Sequence, residues 1–309
     1  MKRAAALRES NRMTNQQLVR LSRGRLALWL APAIGGSIAR FEHRAAAGEW
    51  VPILRGVEGV PANALDAGSF PLVPYCNRIR NGRFTFRGRE VWIRPNMAND
   101  PNPLHGDGWQ AAWEVAAQSD DQAELVYRHA PGEWPWAYEA RQHFRLDEDG
   151  LDLRLSCRNL ADEPMPCGLG QHPYFRCTPA TRLDTKVGDV WTIDEQVLPV
   201  ERLPATGRYD LADRPICGQH LDNGFDGWSG EARIRTPGDE SDIILSSPDA
   251  GYFQVYSPIE GGIFVAEPVT HANAALNEPE EHWPSLGLRV LASGEEMALN
   301  ARIALVRSA

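Results

Sequence analysis

The chain has 309 residues, of which 43% are hydrophobic and 24% charged, the balance of an ordinary globular protein and far from the composition of disordered chains. Its formal net charge of -9 works against polyanionic partners such as nucleic acid or an anionic membrane, and suits a small neutral ligand better. The five cysteines, Cys76, Cys157, Cys167, Cys177 and Cys217, include no Cys-x-x-Cys pair, which disfavours a zinc site or disulfide framework and makes a reduced, cytoplasmic protein the default, with a periplasmic one as the alternative.

Residues 1–17 are polar and aperiodic and read as a disordered leader. Arg8, Glu9, Asn11 and Arg12 interrupt any apolar segment of a secretion signal behind Lys2 and Arg3. Residues 18–309 read as one domain. Its most apolar stretch, LALWLAPAIGGSIA from Leu26, is broken by Pro32, Gly35 and Gly36, short of the ~20 residues a membrane helix needs.

From there, short β-branched or aromatic runs alternate with turn residues at intervals of about ten, the pattern of an all-β protein. RFTFRGREVWI predicts a hairpin turning at Arg87-Gly88, and the basic cluster Arg78, Arg80, Arg83, Arg87 and Arg89 alternates with Ile79, Phe84 and Phe86 as the solvated face of a pleated strand does, with a phosphate-binding patch as the alternative. AAWEVAAQSDDQAELVYRHA predicts another, turning around Ser119 to Asp121. RQHFRLDEDGLDLRLSCRNL predicts a third at Asp147 to Gly150, and LGLRVLASGEEMALNARIALV a fourth around Ser293-Gly294. Short helices are expected near Asp100 to Trp113 or Leu211 to Asp222. Long Pro/Gly-containing loops, Pro95 to Trp109, Pro164 to Thr181 and Ala266 to Pro284, are where binding groups would sit.

Three of these segments carry an imidazole or carboxylate among aromatic and glycine neighbours: PLHGDGW (His105), GLGQHPYF (His172) and FVAEPVTHANAALN (Glu267). A lone loop histidine is more often structural than catalytic. Glu267 is different, because it follows an apolar strand and precedes Pro268, so that a carboxylate at the end of a buried strand needs partners or a raised pKa. That environment suits a general base near neutral pH. Trp109, Tyr174 and Phe175 offer flat walls for a sugar ring, although core packing explains them equally well.

The order NRI (Asn77, Arg78), HGDGW (His105), HPYF (His172), LDNGF (Asp222), FQVYSP (Gln254), then a late glutamate (Glu267) before an Asn-containing loop, resembles the aldose 1-epimerase family from about Leu18 to the C-terminus. The resemblance implies a large antiparallel β-sandwich of the supersandwich, galactose mutarotase-like type. It implies an isomerase that interconverts the α and β anomers of a free aldose with no cofactor and no metal. Glu267 would be the base at the anomeric hydroxyl, His172 the acid at the ring oxygen, and His105 a hydrogen-bond donor to that oxygen or its neighbour. Asn77, Arg78, Asp222 and Gln254 would position hydroxyls. Asp107, Asp226 and His271 stay open as further members of the site, as does the choice between monomer and homodimer.

Three rivals stay open as well. A sugar-phosphate mutarotase would grip its phosphate with Arg78, Arg80 or Arg176. A carbohydrate-binding module would use the same cleft without needing Glu267 as a base. A glycoside hydrolase or lyase would pair Glu267 with Asp222 across a scissile bond and leave the two histidines without a task.

Overall fold

The computed structural model describes residues 18–308, so the leader expected over residues 1–17 lies outside them. These residues fold into antiparallel β-sheets, the two largest of nine and eight strands, linked by loops and 3₁₀ turns. The nine-stranded sheet is centred on Tyr138–Leu146, Gly150–Asn159 and Glu296–Arg307. The eight-stranded sheet is centred on Leu221–Asp226, Tyr252–Ser257 and Ile263–Val269. A four-stranded sheet is built from Val19–Arg23, Leu26–Ala31, Ser37–Arg44 and Trp50–Pro52. The architecture is a large antiparallel β-sandwich.

Period-two alternation explains the sandwich. In Tyr138–Leu146, residues Tyr138, Ala140, Gln142, Phe144 and Leu146 are buried, while the intervening charged residues face outward. One continuous apolar core joins Phe144, Leu155 and Leu299 of the large sheet to Phe225, Phe253 and Phe264 of its neighbour. The hairpins at Arg87-Gly88, Ser119 to Asp121 and Asp147 to Gly150 form as their turn residues predict.

Two expectations are corrected. Arg289–Leu291 and Glu296–Arg307 do not pair around Ser293-Gly294: the first joins Met165–Cys167, and the second runs between Gly150–Asn159 and Ser241–Ser246. A turn signal fixes where a strand ends, and burial on both flanks fixes its partners. Asp100 to Trp113 holds turns, bends and isolated bridges, and Leu211 to Asp222 holds turns, the short strand Arg214–Pro215 and the start of Leu221–Asp226, rather than helices. The 3₁₀ segments fall elsewhere, the longest at Glu280–Leu286.

Candidate active site

The eight-stranded sheet turns one face to the core and the other to a cleft. Along Leu221–Asp226, Leu221, Asn223 and Phe225 are buried, which leaves Asp222 and Gly224 on the opposite face. Register then lines up Gly224 with Gln254 and Gln254 with Glu267 across three strands. Glu267 is therefore inside the strand Ile263–Val269, not at its end as the sequence suggests, because pairing with Tyr252–Ser257 continues through Pro268 to Val269. Gly224 keeps the row open, since a Cβ there would lie 3.1 Å from Gln254 Oε1.

The histidines arrive on loops from one side. Phe70 stacks on the His172 ring at 4.3 Å between centroids, and the backbone N–H of His172 donates to Phe70 O. His105 adopts φ +63 and exchanges two hydrogen bonds with Asn77: its N–H donates to Asn77 O, and Asn77 N–H donates to His105 Nδ1 at 3.0 Å. The proton of neutral His105 consequently sits on Nε2 as a donor. Gly106 must be glycine, because at φ +70 a Cβ would fall 2.1 Å from Val73 O.

These elements enclose a cleft of about 410 Å³. All seven residues picked out in the sequence line it: Asn77, Arg78, His105, His172, Asp222, Gln254 and Glu267. His172 Nε2 lies 3.4 Å from Glu267 Oε1, while Glu267 Oε2 and His172 Nδ1 are buried with no hydrogen-bond partner. Burial pushes the Glu267 carboxyl well above the usual range, and the nearby Asp222 adds to this against the pull of Arg78. Burial also brings His172 down to about 3 and His105 well below its ordinary value. Both shifts favour uncharged forms, so His172 and Glu267 form a neutral pair that shares one proton, not a fixed ion pair.

Around them, Gln254 Nε2 donates to Asp222 Oδ1 at 2.9 Å, and Arg78 Nε donates to Asp100 Oδ2 at 2.9 Å. One ligand atom each from His105, His172 and Glu267 lies within 4.8 Å of the others, a donor set that could also hold a divalent cation.

The open candidates separate clearly. His271 stays outside the cleft lining, with both ring nitrogens in use: Nδ1–H donates to Ala272 O, and Nε2 accepts from Cys76 N–H. It thereby fixes the turn that presents Asn77. Asp226 is paired with Arg202 and accepts from Asp189 N–H, away from the cleft. Asp107 lies behind the His105 loop, bonded to His129, Tyr127 and Tyr138. Of the arginines offered as phosphate ligands, Arg80 and Arg176 do not line the cleft, and Arg78 is engaged by Asp100.

Arg55 and Tyr256 were not singled out from the sequence. Tyr256 could have been found, because it stands two residues from Gln254 on the same strand face. Arg55 gave no signal: it reaches the cleft from a loop, its guanidinium 3.7 Å from the Tyr174 ring centroid, with Nη2 donating to Ala67 O and Leu65 O.

An antiparallel β-sandwich built in this way has the galactose mutarotase-like fold. The sequence model of the Aldose 1-epimerase family matches residues 17–304, and this chain belongs to that family. It is 38% identical over 230 residues to the uncharacterized protein YphB of Escherichia coli K12, covering 72% of this chain and 75% of that one. It is 31% identical over 135 residues to the aldose 1-epimerase of the same organism, covering 42% of this chain and 36% of the enzyme. The crystal structure of a candidate aldose 1-epimerase from E. coli K12 superposes with a TM-score of 0.86 at 33% identity, covering 94% of this chain and 99% of that one. No helix among the described residues is long and apolar enough to cross a membrane.

Proposed function

We propose that the protein is an aldose 1-epimerase acting on a free aldose, with Glu267 and His172 as the proton-transferring pair. The observation that carries this reading is the buried contact of His172 Nε2 with Glu267 Oε1 at 3.4 Å, in a cleft that also contains hydroxyl-binding groups.

In the reactive tautomer the shared proton is on His172 and the negative charge on Glu267. Glu267 takes the proton of the anomeric hydroxyl while His172 gives its proton to the ring oxygen. The bond from C1 to the ring oxygen breaks as the C1 carbonyl forms. The aldehyde turns about the C1–C2 bond and recloses on its other face with the two roles reversed. The pair carries one proton and no net charge at each stage, so the buried site never holds an isolated charge. His105, with its proton on Nε2, donates to the ring oxygen or its neighbour. Asn77, Arg78, Asp222 and Gln254 hold the remaining hydroxyls.

The test is polarimetry on freshly dissolved α-D-glucose and α-D-galactose, comparing wild type with Glu267→Gln and His172→Ala. Acceleration that both variants lose supports the reading. A protein that binds sugar with unchanged affinity in Glu267→Gln and accelerates nothing would be a carbohydrate-binding module instead. A second reading, a hexose-phosphate mutarotase, is favoured by Arg55, whose buried Nε has no hydrogen-bond partner. Hexose 6-phosphates in the same assay decide between the two. The five cysteines are free thiols, which fits a reducing cytoplasm.

A further inference from the structure

The four-stranded sheet has an outer face that the cleft does not use. Register sets Arg20 opposite Trp29, Trp29 opposite Arg40, and Glu42 opposite Pro52. Alternation adds Glu42 to the side of Arg40 and Trp50 to the side of Pro52, while Leu21, Leu28 and Phe41 point into the core. Such a polar outer face is ordinarily flat and solvated. This one is a groove of about 400 Å³, nearly the volume of the catalytic cleft and within the range of small-molecule sites.

Its wall is the segment Gly56 to Glu58, pressed onto the strand Ser37–Arg44. Val57 N–H donates to Ala39 O at 3.3 Å, and a Cβ on Gly56 would come 2.7 Å from that same oxygen. Arg176 also lines the groove. The wall is shared with the cleft: Arg55, which precedes it, and Tyr174, two residues before Arg176, both line the catalytic side.

The floor is chemically unsatisfied. Glu42 is 7% exposed, and its nearest cation is Arg40, with Nε 3.4 Å from Oε2. That Nε is buried and makes no hydrogen bond. Burial raises the Glu42 carboxyl despite Arg40, which is the expected sign for a carboxylate short of donors. Beside it, Trp50 is 43% exposed, an aromatic face open to a ligand. A flat indole for ring C–H groups, a carboxylate to accept from hydroxyls and a guanidinium to donate to them is a sugar-binding set. Three arginines, Arg20, Arg40 and Arg176, face two acids, Glu42 and Glu58, which leaves the groove one positive charge in excess within an acidic protein.

We propose that this groove is a second saccharide site, separate from the catalytic cleft, that takes a pyranose ring bearing an anionic substituent. The ring lies on Trp50, its hydroxyls meet Glu42 and Arg40, and the anion faces Arg20 and Arg176. This assignment does not depend on the reaction in the cleft.

The test is a titration followed through the tryptophan indole N–H signals in ¹H–¹⁵N spectra, with Trp29 and Trp50 assigned from Trp→Phe variants. D-Glucuronate is the probe, D-glucose the neutral control and sodium acetate the control for charge alone. The expected result is a saturable shift of the Trp50 and Trp29 signals by glucuronate, identical in Glu267→Gln. The affinity falls about tenfold or more with glucose and in Glu42→Gln. Arg176→Ala, a surface change that leaves the core intact, also weakens binding, while Trp50→Ala keeps the wild-type mutarotation rate. The proposal is overturned if the Trp50 signal shows no saturable shift across a glucuronate titration to about 100 mM. It is also overturned if acetate produces the same shifts, if glucose binds equally well, or if neither Glu42→Gln nor Arg176→Ala alters the affinity.

Discussion

Gln254 and Glu267 stand directly opposite one another on neighbouring strands, yet the Gln254 amide donates to Asp222 instead, at 2.9 Å. Glu267 Oε2 is left without a donor, and burial, with the nearby Asp222 charge, holds its carboxyl well above the usual range. Replacing Gln254 with Leu should therefore leave the pH dependence set by Glu267 nearly unchanged. It should raise KM, because Asp222 loses the partner that orients it. Initial-rate polarimetry over a pH series separates the two effects, and a shifted pH profile with unchanged KM would contradict this division of labour.

Glu267→Gln should lower the mutarotation rate by about 10²–10⁴-fold, the usual contribution of a positioned acid–base group. It should also stabilise the fold. With its folded pKa above the unfolded one, Glu267 keeps a proton in the native state that the unfolded chain releases. Wild type therefore loses stability as pH climbs from the unfolded carboxylate range through the folded pKa. Melting temperatures of the two proteins should nearly coincide at acid pH and diverge toward neutral pH in favour of the variant.

The rate itself should trace a bell against pH, with a broad plateau through neutrality. The pair works with one proton: the acid limb appears where it takes up a second, with His172 held to about 3, and the alkaline limb where it loses the first. A single limb near the ordinary histidine pKa would mean that His172 titrates alone.

Dialysis against EDTA should leave the activity intact, since proton transfer between two oxygens needs no Lewis acid. Loss of activity restored by a divalent cation would instead make His105, His172 and Glu267 a metal site, as their mutual spacing permits.

Behind the site, His129 donates through Nδ1 to Asp107 at 2.6 Å and through Nε2 to Trp134 O at 2.9 Å, and so is held as a cation. Burial opposes this charge, but the Asp107 carboxylate outweighs it and the His129 pKa rises. The resulting stability is fully present below the ordinary histidine pKa and fades as pH rises through the folded value. Denaturant titrations from pH 6 to pH 9 should show a steeper fall in wild type than in Asp107→Asn, the slope that remains in the variant coming from Glu267, with a modest difference because the Asp107 side chain is 40% exposed.

Much of this molecule follows from local sequence. Strict alternation in Tyr138–Leu146 and Gly150–Asn159, with Asp147 to Gly150 between them, dictates a hairpin with one buried face whatever surrounds it. Short motifs likewise marked the residues that meet in the cleft, because loop histidines and a carboxylate within an apolar strand are locally anomalous. Tertiary structure decided the rest. Glu296–Arg307 found its partners more than fifty residues away, since burial on both flanks outweighs a nearby turn. Arg55 reached the cleft, and His271 was kept out of it, through contacts that no local pattern encodes. The protonation of Glu267 and His172 was decided in the same way: a pKa depends on the water and charge removed from around a group, and only the packed sheets and loops determine how much of each is left.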